Sequence, residues 1–132
     1  MNISVVIVAF KSDHILQNLI SSIPNHYEII VIENSLQNET KINLESKFSN
    51  LEVLIPNENL GYSGGVNLGV KRSKYKFVLV LTADVIFSLE MIQNFEKFIE
   101  QFNNFALLAP VYENSTVHQN FKIFHNNKVN KI

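Results

Sequence analysis

Apolar runs alternate with amphipathic stretches along the first 110 residues. That alternation predicts an α/β domain: a mostly parallel sheet with helices on both faces. Ile3–Ala9 is a continuous run rich in β-branched residues, as a strand covered on both sides requires. Glu28–Ile32, Leu51–Ile55 and Lys76–Leu81 repeat the signal, and Pro56 stops the third of them. Phe105–Ala109 predicts a fifth strand, closed by Pro110. Between these runs the period changes to that of a helix. Ile15, Leu16, Leu19, Ile20 and Ile23 share one face of the first helix, which Asp13 is placed to cap and Pro24 follows. Asn38–Phe48 is a weaker helix, with Leu44 and Phe48 one turn apart. A polar loop, Asn57–Gly65, leads into a helix over about Gly64–Ser73. Leu89–Phe102 is the clearest helix, because Ile92, Phe95, Phe98, Ile99 and Phe102 form a stripe of period 3.6. Beyond Pro110 the chain turns polar, with one weak apolar patch at Phe121–Phe124. The sequence therefore divides into a compact unit over 1–110 and an irregular tail, or the start of a further region, over 111–132.

Composition narrows the function. A chain of 132 residues, 46% hydrophobic, can bury a core and reads as one globular domain. A formal net charge of −1 gives no electrostatic case for nucleic acid or an anionic membrane as partner. Without cysteine there is no disulfide, thiolate nucleophile or cysteine-ligated zinc. The opening residues lack the basic start and small-residue cleavage site of a secretory signal, and no apolar run reaches the roughly 18–20 residues of a membrane span. A cytoplasmic location without a transmembrane segment is the expectation.

Ligands of open α/β sheets sit outside the carboxyl ends of the strands, near the point where strand order reverses. The residues following each predicted strand are therefore the informative ones. Ala9 ends the first strand, and Phe10, Lys11, Ser12 and Asp13 follow; Glu33, Asn34 and Ser35 follow the second; Thr82, Ala83 and Asp84 follow the fourth. Asp84 is one of only two aspartates in the chain. The loop before the third helix reads Asn59-Leu60-Gly61-Tyr62-Ser63-Gly64-Gly65-Val66-Asn67. Its small residues let backbone approach a ligand, and the helix behind offers free amides to a phosphate or a sugar hydroxyl. The spacing is neither Gly-x-Gly-x-x-Gly nor a P-loop, which counts against a dinucleotide site and against a nucleotide triphosphatase.

Four segments carry a resemblance. Ile3-Ser-Val-Val-Ile-Val-Ala-Phe-Lys-Ser resembles the first strand and loop of family 2 glycosyltransferases, and Tyr27-Glu-Ile-Ile-Val-Ile-Glu-Asn-Ser resembles their second strand. Asn59–Asn67 resembles their N-x-G-x-[AS]-[GA]-[GA]-x-N element, and Phe77–Asp84 the strand carrying the D-x-D-type motif of the rhamnosyltransferase-like branch. All four stand in the family's order over about residues 2–110. The resemblance implies a GT-A fold, a three-layer Rossmann-like architecture represented by its N-terminal, nucleotide-sugar-binding half and truncated on the C-terminal side. It implies a metal-assisted enzyme that moves a sugar from a nucleotide-diphosphate donor to a glycan or lipid-linked acceptor, as in cell-surface polysaccharide biosynthesis. It places Ala9, Phe10, Glu33, Asn34, Asn59, Gly61, Gly64, Asn67, Thr82 and Asp84 around the nucleotide sugar. It gives Asp84 the Mg²⁺ or Mn²⁺ that bridges the two phosphates, a hard cation that takes oxygen ligands.

Three positions depart from the family pattern: Thr82 replaces the first aspartate of D-x-D, Glu33 stands where Asp is usual, and Lys11 where Asn is typical. The family's catalytic base lies in a second half, and here only Glu113 is acidic beyond Pro110, so no residue is assigned that role. Plainer readings stand beside these. Asp84 suits a helix cap, Glu33 and Asn34 suit a turn, and the Gly61–Gly69 element suits helix packing. His118 and His125 read as solvated residues of a polar tail, not as metal ligands. A non-catalytic nucleotide-sugar-binding module is the alternative to an enzyme. A receiver-like domain ranks last, lacking an acidic pair after the first strand and an aspartate after the third. Self-association would cover an exposed sheet edge, which leaves a homo-oligomer open.

Overall fold

The computed structural model describes residues 2–86, 88–102, 104–110, 121–125 and 128–131. The chain forms two compact units, Met1–Ile92 and Gln93–Ile132. In the first, β1 (Ile3–Ala9), β2 (Glu28–Glu33), β3 (Leu51–Leu54) and β4 (Phe77–Thr82) alternate with α1 (Asp13–Ser22), α2 (Asn38–Lys47) and α3 (Gly61–Arg72). The four strands make one parallel sheet in the order β3-β2-β1-β4. The expected α/β architecture is therefore present, with strand ends shifted by about a residue, as hydrogen-bond assignment commonly allows.

The order of the strands decides where the helices go. From β1 to β3 the chain steps one way across the sheet; from β3 to β4 it steps back past β2 and β1. Crossovers between parallel strands are right-handed, so reversing the direction of travel puts α3 on the face opposite α1 and α2. Side chains confirm this. Val6, Ile30 and Ile32 are fully buried on the α3 face, with Leu54 and Leu68 packed against them. On the other face Val5, Ile7, Ile29, Val31 and Val53 are equally buried, with Leu16, Leu19 and Ile20 of α1 and Leu44 of α2 supplying the apolar cover. The reversal makes β1/β4 the switch point of the sheet.

Helix α3 approaches the sheet unusually closely. All four glycines of the chain lie in it. A Cβ on Gly69 would stand 2.3 Å from a Val6 methyl, and one on Gly65 2.9 Å from a Val8 methyl. Spaced one turn apart, these two residues form the flat stripe that meets β1. The helix is then tied at its far end. The buried Ser4 hydroxyl donates to Glu28 Oε2 at 2.6 Å and accepts from the Tyr75 amide at 3.2 Å. The Lys74 amide donates to the same Glu28 oxygen at 2.9 Å, and Lys74 Nζ lies 3.0 Å from Oε1. Burial alone would raise the Glu28 pKa, but the Lys74 amide, the Ser4 hydroxyl and the Lys74 ammonium outweigh it and hold the carboxyl below its ordinary value. The folded state thus favours the charged form. The resulting stability is complete above the unfolded-state pKa, ~4.3, and disappears as pH falls through the lower folded value. Glu28→Gln is accordingly expected to shrink the fall in thermal midpoint between about pH 6 and pH 3. Equal falls in both proteins would show that Glu28 carries none of the acid sensitivity.

The second unit is built differently. The division falls inside α4 (Leu89–Gln101), whose Ile92, Phe95, Phe98 and Ile99 are buried as the period predicts. Phe98 stacks on Phe102 with centroids 4.7 Å apart and meets Phe105 edge-on at 6.2 Å. Here β5 (Leu107–Pro110), β6 (Phe121–His125) and β7 (Lys128–Lys131) form an antiparallel sheet in that order. The weak patch at Phe121–Phe124 is a strand that continues the sheet begun by β5. Its alternation is too short to stand out among asparagines and lysines, and pairing with β5 supplies what the pattern lacks.

Candidate functional site

The parallel register brings the predicted strand ends to one edge. Ala9 lies beside Glu33, and Val8 beside Thr82. With β1 between them, Glu33 and Thr82 are separated by two strand spacings, about 10 Å. Asp84, Phe10 and the start of α3 belong to the same carboxyl edge, at the switch point between β1 and β4. Phe10 is half exposed, with Lys11 Nζ 5.4 Å from its ring centroid.

Side chains alternate along β2, so its last residues serve opposite faces. Glu33 turns to the α1–α2 side and is fully buried. Its Oε1 accepts from the Ser35 amide at 2.7 Å and from the Ser35 hydroxyl. Its Oε2 is buried with no hydrogen-bond partner. Ser35 Oγ in turn accepts from the Lys11 amide at 3.2 Å, linking the end of β2 to the loop after β1. Lys11 has φ 51° and Leu36 φ 64°, left-handed conformations that cost a non-glycine residue about 1 kcal/mol. Asparagine tolerates that region better, which gives a physical reason for the family's preference at the Lys11 position. Sequence reading named Ser35 only as a strand-end residue. Its bridging role depends on this loop geometry, which no sequence pattern announces.

Asn34 turns to the α3 side. It is 3% exposed and spends both ends of its amide on the loop before α3: Nδ2 donates to Gly61 O at 3.0 Å, and Oδ1 accepts from the Leu60 amide at 3.3 Å. Asn59 Oδ1 accepts from the Gly61 amide at 2.8 Å. These bonds start α3 at Gly61, three residues before the position expected from sequence, and the helix absorbs most of the predicted loop. Gly61 has φ +65° and open space around it, so its conformation, not its size, calls for glycine. Gly64 and Gly65 were expected to let backbone approach a ligand. A Cβ on Gly64 would instead meet Leu60 at 2.8 Å, and one on Gly65 would meet Val8. Asn67 falls between the two sheet-facing glycines, is exposed, and lies on the far side of α3, about 9 Å along the helix from Gly61. Tyr62, half exposed on the first turn of α3, belongs to the edge and was not singled out by sequence.

Asp84 and Thr82 are both exposed. The Thr82 hydroxyl, with help from the backbone amide of Asp84, holds the Asp84 carboxyl below its ordinary pKa. Thr82 stands where the family pattern has its first aspartate. Asp13 does not cap α1. Ser12 occupies the cap position, and Asp13 Oδ1 accepts from the buried Thr40 hydroxyl at 2.6 Å, tying α1 to α2. Among the described residues no group of three or more histidine, aspartate or glutamate side chains could hold a metal. His118 and Glu113 lie outside the described residues, as does the side chain of His125.

A parallel sheet with a switch point at β1/β4, acidic residues on its carboxyl edge and a glycine-bearing helix beside it is an open α/β unit of the kind that takes ligands outside the carboxyl ends of its strands. The sequence model of the family described as Glycosyl transferase family 2 matches residues 4–131. The chain belongs to this family. It is 30% identical over 113 residues to the low-salt glycan biosynthesis hexosyltransferase Agl10 of Haloferax volcanii, a match covering 83% of this chain and 36% of the relative. The chain therefore spans about a third of that relative's length. The crystal structure of S. aureus TarS superposes with a TM-score of 0.68 at 23% identity, over 87% of this chain and 22% of the other. TarS 1-349 in complex with UDP gives 0.66 at 20% identity, covering 88% and 38%. No described helix is long and apolar enough to cross a membrane.

Proposed function

We propose that this chain is the donor-binding half of a glycosyltransferase, holding a nucleoside-diphosphate sugar across the carboxyl edge of β1, β2 and β4 for transfer to a glycan or lipid-linked acceptor. The observation that carries this reading is the convergence of Phe10, Glu33 and Asp84 on the switch-point edge of a family 2 chain. The UDP held by TarS 1-349 supports the ligand class, and the glycan role in the name of the haloarchaeal relative supports the acceptor class.

Glu33 brings a buried oxygen with no partner, which an N–H of the base would satisfy. Phe10 offers an exposed ring for the base or ribose to lie on. Asp84 fits a divalent cation only as a single carboxylate, with phosphate oxygens and water completing the shell. When bound, such a cation would supply charge stabilisation to the departing diphosphate. The chain by itself is expected to bind donor without transferring sugar, because a positioned proton acceptor is worth on the order of 10²–10⁴ in rate and none is assigned in these residues.

Calorimetry with UDP, GDP and dTDP, each with and without Mn²⁺, tests the reading. Mn²⁺ is expected to strengthen binding of at least one nucleotide. Asp84→Ala is expected to abolish that enhancement, a loss on the order of tenfold or more. Binding indifferent to Mn²⁺ and to the substitution would remove Asp84 from this role, and sugar transfer by the 132 residues would relocate the catalytic base to within them.

A further inference from the structure

We infer that Asn34 is a positioning residue of the donor site and not a ligand contact: its side-chain amide clamps Leu60 and Gly61 and so sets where α3 begins. The inference rests on the donor-site reading above. An amide side chain offers two donor hydrogens and two acceptor lone pairs, and a buried one is held by whatever it pairs with. Asn34 takes the Leu60 N–H and gives to the Gly61 carbonyl, so its one side chain engages both polar groups flanking a single peptide. Its own backbone amide donates to Ala9 O at 2.9 Å, which fixes the clamp to the end of β1. A Cβ built on Gly65 would come within 3.4 Å of Asn34 Nδ2, so the second turn of α3 closes over the amide. Both ends of this side chain are thus engaged within the protein.

The consequence falls on Gly61. Its left-handed conformation is held between the Asn59 oxygen on its N–H and the Asn34 amide on its carbonyl. The first amides of α3, those a diphosphate or sugar would meet, take their direction from that residue. Asn34→Asp turns the donor into an oxygen facing the Gly61 carbonyl oxygen and makes the group ionisable, while the acceptor for Leu60 stays. The clamp is replaced by repulsion on one side, and the helix start is released without removing volume from the core.

The test is a double-mutant cycle on UDP affinity, using the unsubstituted chain, Asn34→Asp, Gly61→Ala and the pair, each at a temperature where circular dichroism shows it fully folded. Gly61→Ala disturbs the same loop by conformation alone, since its Cβ would meet nothing. Asn34→Asp is expected to weaken UDP binding on the order of tenfold and to speed hydrogen exchange at the Leu60 amide in the unliganded protein. The two substitutions are expected to be non-additive, the pair costing little more than the worse single change, because both act through one loop. Additive losses would mean that Asn34 meets the nucleotide itself and would overturn the inference. So would Asn34→Asp binding UDP within twofold of the unsubstituted chain while that chain binds normally. If the unsubstituted chain binds no UDP, the donor-site reading falls, and this inference with it.

Discussion

Gly69→Ala is expected to lower the stability of the first unit by about 2 kcal/mol, although it removes a glycine from the middle of a helix. Propensity points the other way. Alanine in place of a mid-helix glycine gains about 1 kcal/mol when the new methyl has room. Here it has none, because the added Cβ would lie 2.3 Å from one Val6 methyl and 3.1 Å from the other. Val6 is fully buried in a central strand, and its branched side chain is stiff at χ1, so it has little freedom to retreat. Either α3 moves off the sheet or Val6 is forced against its neighbours, and overpacking of this kind costs about 1–3 kcal/mol before the propensity gain is subtracted, with the upper end favoured by so short a distance. Gly65→Ala is expected to cost less, since its contact is 2.9 Å and Val8 lies at the less buried end of the strand. The measurement is thermal unfolding, where each kcal/mol moves the midpoint by roughly 4 °C in a domain of this size. Val6→Ala should relieve the clash, so the Val6→Ala/Gly69→Ala pair is expected to be more stable than the sum of its parts by more than about 1 kcal/mol. A Gly69→Ala protein as stable as its parent would mean that the glycine stripe does not set the distance between α3 and β1.

Glu33→Ala is expected to cost about 3 kcal/mol, the largest loss among the edge residues. Truncation leaves a cavity beneath the strand ends and strips the Ser35 amide and hydroxyl of their acceptor. The link from Ser35 to the strained Lys11 then has nothing to anchor it. One gain runs against this: the substitution also removes the buried, unpartnered Oε2. Because that gain involves one atom and the loss involves packing plus two hydrogen bonds, the loss prevails. Glu33→Gln separates fold from function. It keeps the shape and one acceptor oxygen for Ser35, so stability is expected to stay within about 1 kcal/mol of the parent. It also puts a donor where the free oxygen stood. If that oxygen receives an N–H from the base, UDP binding is expected to weaken on the order of tenfold or more. Unchanged binding by Glu33→Gln would make Glu33 a structural residue alone.

Much of this molecule is legible in the order of its residues. Runs such as Ile3–Ala9 and Glu28–Ile32 are apolar at consecutive positions and not at every second one, which strands covered on both faces need, so the parallel sheet and its two helical layers follow from the pattern. The stripe in Leu89–Gln101 fixes its helix just as directly. The candidate site was legible as a set of positions, because strand ends in a parallel sheet share an edge whatever their loops do. The parts the residues play there were not legible. Glu33 and Asn34 are neighbours in sequence, yet one is buried among α1 and α2 and the other holds the start of α3, a division set by alternation about a strand whose two faces sequence does not label. Asp13 has the composition of a cap and makes a bond to another helix. The small residues at the start of α3 suggest close approach of backbone to a ligand, while Gly65 and Gly69 serve to let helix and sheet touch. The strand at Phe121–His125 exists through its pairing with β5. Periodicity is a local property and is written along the chain. Which polar atom a side chain meets depends on residues tens of positions away, brought close only when the sheet assembles, and that was decided by the tertiary structure.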